Sequence, residues 1–92
     1  MELPTVYHPT DRSNLTEVTI GDIRIWFSYE TPIAFMAPGW SRVVRENIWS
    51  TTTGKHLNYV DGGDKVGRVS GETFIMMLNE ALSGRVPAES LL

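Results

Sequence analysis

The stretch Ile23-Arg24-Ile25-Trp26-Phe27-Ser28-Tyr29 repeats large apolar side chains at period two, and Ile33-Ala34-Phe35-Met36-Ala37 resumes the pattern after Glu30-Thr31-Pro32. β-Branched and aromatic residues at this spacing form a strand, with Ile23, Ile25, Phe27 and Tyr29 on one side. Two such runs with a short polar break predict a hairpin with a three-residue loop. That register pairs Tyr29 with Ile33, Phe27 with Phe35 and Ile25 with Ala37, so one continuous apolar face crosses both strands. A lone hairpin is marginal in water, so the rest of the chain must cover that face.

The flanking segments supply more strands and a helix. Thr16 to Ile20 leads in through a Gly21-Asp22 turn, and Pro38-Gly39 turns the chain into a third hairpin strand, Ser41 to Trp49. Val43 and Val44 are both apolar, so either face of that strand could be the buried one. Phe74, Met77, Leu78, Ala81 and Leu82 fall at i, i+3, i+4, i+7 and i+8 after Ser70, an amphipathic helix that Gly84 ends and Pro87 keeps from continuing. Val66 to Val69 reads as a short edge strand. Between these, Ser50 could cap a helix burying Leu57 and Val60, but three threonines and Gly54 oppose it, leaving helix and loop both open. Residues 1–14, with Pro4, Pro9, Asp11, Ser13 and Asn14 and no apolar period, read as an extended or mobile arm. The expected whole is an α+β fold over 15–92: a three- to four-stranded antiparallel meander with the C-terminal amphipathic helix packed on one face.

With 92 residues, a single domain is expected, and its core must be small. The absence of cysteine excludes disulfide staples, thiolate metal ligands and a thiol nucleophile. No apolar run approaches the length of a membrane span, and Met1-Glu2-Leu3-Pro4 lacks the basic then apolar pattern of a leader, so the expectation is a cytoplasmic protein with no membrane partner. The net charge is −3, yet Arg42, Arg45, Lys55, Lys65 and Arg68 make the middle third basic.

Several motifs fail on inspection. Gly54-Lys55 would need a glycine at 49 and a hydroxyl residue at 56 to be a phosphate-binding loop, and those positions hold Trp49 and His56. Gly39-Trp40-Ser41-Arg42-Val43 departs from a nucleophile elbow at Val43, where glycine is required. Asp61-Gly62-Gly63-Asp64 lacks the alternating ligands of a calcium loop and reads as a turn, so no metal or other cofactor is expected. No acid–base pair or nucleophile dyad is evident, so a binding role is expected rather than an enzyme.

The polar segment after the third strand is the leading site candidate. Thr51, Thr52, Thr53, Lys55, His56 and Asn58 offer hydroxyls, a cation, an imidazole and an amide, and Trp49 and Tyr59 offer aromatic faces. Arg45, Asn47 and Trp49 would share one side of a regular third strand. As a recognition surface these side chains point outward, toward phosphate, a base or a protein. As structure they are enclosed and saturated by internal hydrogen bonds. The basic residues likewise suit single-stranded nucleic acid or merely a solvated strand edge. Three tryptophans exceed what so small a core readily buries, which favours an exposed tryptophan at an interface.

Phe27-Ser28-Tyr29-Glu30-Thr31-Pro32-Ile33-Ala34-Phe35, then Glu46-Asn47-Ile48-Trp49-Ser50, Thr52-Thr53-Gly54-Lys55-His56-Leu57-Asn58 and the Asp61-Gly62-Gly63 turn resemble a small uncharacterised domain of bacteriophage genomes, over roughly residues 22–82. The resemblance implies a phage or mobile-element origin, where small acidic proteins block host factors by stoichiometric binding. The expected function is therefore a non-catalytic counter-defence module that masks a host immune protein or sequesters a nucleotide signal, with a homo-oligomer among the candidate assemblies. A nucleic-acid-binding accessory protein is the alternative.

Overall fold

The computed structural model describes residues 3–9, 14–46, 51–63 and 67–86, except the side chains of Thr51 and Thr52. Five strands are followed by two helices: β1 (Thr5–Tyr7), β2 (Leu15–Ile20), β3 (Ile23–Ser28), β4 (Thr31–Ala37), β5 (Trp40–Val44), α1 (Thr51–Asp61) and α2 (Gly71–Leu82). The strands form one antiparallel sheet in chain order. This is the α+β meander with a C-terminal helix that the sequence predicts, with five strands in place of three to four. The added strand is β1, inside the segment read as an arm; Val6 pairs with Val18 across it.

Side-chain alternation builds the core on both sheet faces. Ile25, Phe35 and Val43 lie opposite one another on β3, β4 and β5, and with Ala37 they bury Phe74, Leu78 and Ala81 of α2. Their neighbours Trp26, Ala34 and Val44 point the other way and, with Leu15 and Ile33, bury Leu57 and Val60 of α1. Each helix thus covers one face. The Val43-Val44 ambiguity resolves as both, since each strand-adjacent pair of apolar residues serves two layers.

The central hairpin differs from the expected register. Its loop is Tyr29-Glu30, Ser28 pairs with Thr31, and Ile25 pairs with Phe35 rather than Ala37. Two features produce the shift. Tyr29 takes φ 57°, which closes a tighter turn than three residues would make, and its N–H donates to the Asn14 carbonyl at 2.8 Å. A register irregularity beside Trp26 and Phe27 leaves Ile33 without an opposite residue, so Ile33 and Ala34 both join the α1-side cluster. The expected Ser41–Trp49 strand is described as β5 only to Val44, and its residues 47–49 lie outside the described residues. Val69 continues the edge as a single parallel bridge to Arg45, its N–H donating to the Val44 carbonyl at 2.8 Å. The rest of the expected Val66–Val69 strand lies outside the described residues.

α2 has the predicted boundaries and clear stop signals. Ser70 caps it, its Oγ accepting from the Thr73 N–H at 3.3 Å. At the far end Gly84 takes φ 80°, its N–H donates to the Ala81 carbonyl, and the Arg85 N–H donates to the Glu80 carbonyl, a Schellman pattern. Phe74, Leu78 and Ala81 are buried and Met77 is partly so, but Leu82, expected on the buried stripe, is exposed. The chain then returns over the β4–β5 turn, where the Trp40 indole N–H donates to the Arg85 carbonyl at 2.8 Å.

Gly39 sits in that turn at φ 81°, and a Cβ there would stand 2.6 Å from Val86 Cγ1. Gly39→Ala combines a left-handed backbone with a steric clash and should lower stability by about 1–3 kcal/mol. Denaturant unfolding of the two proteins measures it, and an unchanged midpoint would contradict this packing.

Candidate functional site

α1 is a weak helix on sequence grounds, with no acidic residue in its first turn and no basic residue in its last. It forms because its inner stripe is held from outside. Thr53, His56, Leu57 and Val60 recur at i, i+3, i+4 and i+7, and all four are buried. Leu57 and Val60 meet the apolar sheet face as the sequence suggests. Thr53 and His56 meet Ser28 of β3, whose Oγ lies 2.7 Å from His56 Nδ1 and 3.1 Å from Thr53 Oγ1. Ser28 is itself only 2% exposed, as is His56, so this hydroxyl–imidazole–hydroxyl cluster is sealed between strand and helix. Sealed in this way, it satisfies polar groups that burial would otherwise leave costly. The Tyr29 ring leans toward the His56 ring, their centroids 6.2 Å apart.

The basic residues of the middle third hold the other end of α1. Arg42 of β5 donates from Nη1 to the Val60 carbonyl at 2.7 Å and lies over the Trp26 ring at 5.9 Å. Arg68 grips Asp61 through Nε at 2.8 Å and Nη2 at 3.0 Å, and Nη2 also donates to Asn58 Oδ1 at 3.0 Å. A carboxylate at a helix carboxyl terminus opposes the macrodipole, and these two guanidinium groups supply the compensating charge. For Asp61, burial alone would raise the pKa. The hydrogen bonds from Arg68 and the Gly63 N–H, with the charge of Arg68, outweigh it and hold the carboxyl below its usual range.

The sequence-predicted site residues therefore divide. Thr53 and His56 face inward, while Lys55, Asn58 and Tyr59 are exposed on the outer side of α1. Arg45 lies against the opposite helix, its guanidinium 5.5 Å over the Phe74 ring. There it lines a groove of about 830 Å³ with Ser70, Gly71, Glu72, Ile75, Met76 and Asn79. Asn47, Trp49 and the side chains of Thr51 and Thr52 lie outside the described residues. Arg45 and Lys55 are on opposite faces of the sheet, and Thr53 is turned away from both. The tryptophan expectation also shifts: Trp26 is buried and Trp40 half-buried against Phe35, because a core on two faces has room for them.

Sequence reasoning missed three features. Ser28 reads only as a strand residue, since nothing local marks it as the partner of His56. A cleft of about 680 Å³, lined by His8, Asn14, Thr16, Tyr29, Glu30 and Thr31, opens where Asn14 and Tyr29 both hold positive φ. The third is the outer edge of β1. Thr5, Val6 and Tyr7 are uncharged and exposed, and this edge pairs with no other strand among the described residues.

The family-model comparison matches residues 4–76, from β1 through the first half of α2, to a family of unknown function. The chain belongs to that family, DUF8033. No curated protein and no solved structure matches the chain. The DUF8033 match spans the sheet, α1 and the Ser28–Thr53–His56 cluster. Among the described residues no three His, Asp or Glu side chains converge as metal ligands, and no helix is long and apolar enough to cross a membrane.

Ser28→Ala removes the buried hydroxyl that bonds both Thr53 and His56 and should cost about 1–3 kcal/mol of folding stability, read by chemical denaturation. The acid response of Asp61 is a separate test. Its folded pKa lies below the unfolded one, so its contribution is complete above the unfolded value of about 3.9 and is lost as pH falls through the folded value. Asp61→Asn should thus melt lower than wild type at neutral pH and converge with it in acid. A gap that persisted at low pH would contradict the assignment to this ion pair.

Proposed function

We propose that this DUF8033 chain is a non-catalytic binding module whose ligand is a protein, engaged by strand addition at β1. The observation that carries the reading is the row Val6–Val18–Ile25–Phe35–Val43, opposed residue by residue across all five strands. Its far end is buried under α2, while its near end is uncovered, with Val6 55% exposed and Ile20 also exposed beside it. Natural sheets guard such edges with charge, with proline or by keeping them short; Leu3 to His8 carries no Lys, Arg, Asp or Glu, and Pro4 and the three-residue length of β1 confine an added strand to a short stretch. An extended, uncharged segment with an apolar residue on the Val6 side would gain backbone hydrogen bonds and a hydrophobic row together.

Two observations favour a protein over a nucleotide or nucleic acid. Arg45 and Lys55 lie on opposite faces of the sheet and Thr53 faces inward, which argues against a phosphate cup of these three within one copy. Arg24, Arg42 and Arg68 are engaged within the fold, with Glu17, the Val60 carbonyl and Asp61 respectively. The likeness to phage-borne domains supports a host protein, masked one to one in the cytoplasm as a counter-defence measure.

Native mass spectrometry of the full chain isolated from the cells that make it tests this reading. A retained protein partner is expected. Val6→Lys, which charges the edge, should weaken its retention about tenfold or more. Stability should change by no more than the roughly 0.5 kcal/mol typical of exposed positions. A retained oligonucleotide, or a partner kept by Val6→Lys but lost by Lys55→Ala, would overturn strand addition.

A further inference from the structure

α2 buries Phe74, Leu78 and Ala81, which leaves a second stripe, Glu72, Ile75, Met76, Asn79 and Glu80, on a different side of the same helix. Its centre is apolar: Met76 is 58% and Ile75 41% exposed. Both ends carry a carboxylate, Glu72 and Glu80, and the N-terminal end adds the cation of Arg45 beside Glu72. At the N-terminal end the Arg45 guanidinium lies over Phe74 and against Gly71, where an added Cβ would collide with Arg45 Nη2. That cation adds to the positive end of the helix dipole. Toward the C-terminal end the stripe finishes on the Glu80 carboxylate.

We infer that this stripe is the interface of a two-fold homodimer in which α2 of one copy packs antiparallel on α2 of the other. The argument is self-complementarity. In an isologous pair, whatever position i meets on its partner meets i in return. With the two-fold axis between positions 75 and 76, Ile75 meets Met76 of the second copy, and Met76 meets its Ile75. Glu72 then faces Asn79, and Gly71, with Arg45 over it, faces Glu80. Each copy thus brings its Arg45 to the other's Glu80. A parallel pair would set Glu80 against Glu80 and Arg45 against Arg45. The groove of about 830 Å³ beside Arg45 gives the incoming Ile75 and Met76 somewhere to go. The surface uses none of the β1 edge, so this inference is independent of strand addition.

Sedimentation of the full chain from micromolar to submillimolar concentration tests it. Wild type should pass from one to two copies as concentration rises, as expected for a small, partly charged interface, and added salt should weaken the dimer. Met76→Glu should raise the dimer dissociation constant about tenfold or more while the circular dichroism melt is unchanged. Should that variant fail to fold, Glu80→Arg decides, because it places a cation against Arg45 of the second copy and should weaken the dimer comparably. Glu80→Gln should remove most of the salt dependence. A wild type that stays monomeric throughout, variants at 76 and 80 that dimerise like wild type, or a dimer abolished by Val6→Lys alone would each overturn it.

Discussion

The structure depends on one consequence of strand geometry: adjacent residues point to opposite faces, and here both are apolar in the middle of the sheet. Ile25-Trp26, Ala34-Phe35 and Val43-Val44 each send one side chain up and one down. A sheet with a single greasy face needs one cover, whereas this one needs two. Two helices supply them, α1 over Trp26, Ala34 and Val44, and α2 over Ile25, Phe35 and Val43. The same arrangement explains why two of the three tryptophans are absorbed without presenting an exposed anchor.

α1 is the more demanding of the two covers. Three threonines and a glycine make it a poor helix in isolation, and its own ends carry the wrong charges or none. Tertiary contacts make up the deficit through Ser28 beneath its middle and Arg42 and Arg68 at its end. Residues that look like chemistry when read along the chain therefore turn out to join helix to sheet. A serine 2.7 Å from a histidine nitrogen resembles a catalytic dyad in distance alone. Both residues are buried, and the contact joins β3 to α1.

The surfaces proposed for recognition lie elsewhere. The two cores run out toward β1, where the sheet is wider than its helices, and the outer stripe of α2 is apolar between charged ends. These are different surfaces with different physics, one offering backbone hydrogen bonds along an edge and the other side-chain complementarity along a helix. A module that doubles through one and grips a partner strand through the other would present two edges at once, which raises the effective strength of a weak single contact.

Local patterns were enough to read much of the architecture. Period-two runs announced β3 and β4, the Gly21-Asp22 turn placed β2 before them, the i, i+3, i+4 stripe and the Ser70 and Gly84 signals delimited α2, and Gly39 marked a turn, because each depends only on neighbours in the chain. The burial of Leu57 and Val60 was legible only on condition of a helix that three threonines and Gly54 left open. The hairpin register was not, since it turned on a tyrosine at positive φ bonded to Asn14, fifteen residues upstream, and on an unpaired Ile33. Nor could the sequence assign His56 and Thr53 to the interior or part Arg45 from Lys55. Those outcomes were decided by which sheet face each helix covers, a long-range choice made by the summed burial of both apolar rows and invisible to any local window.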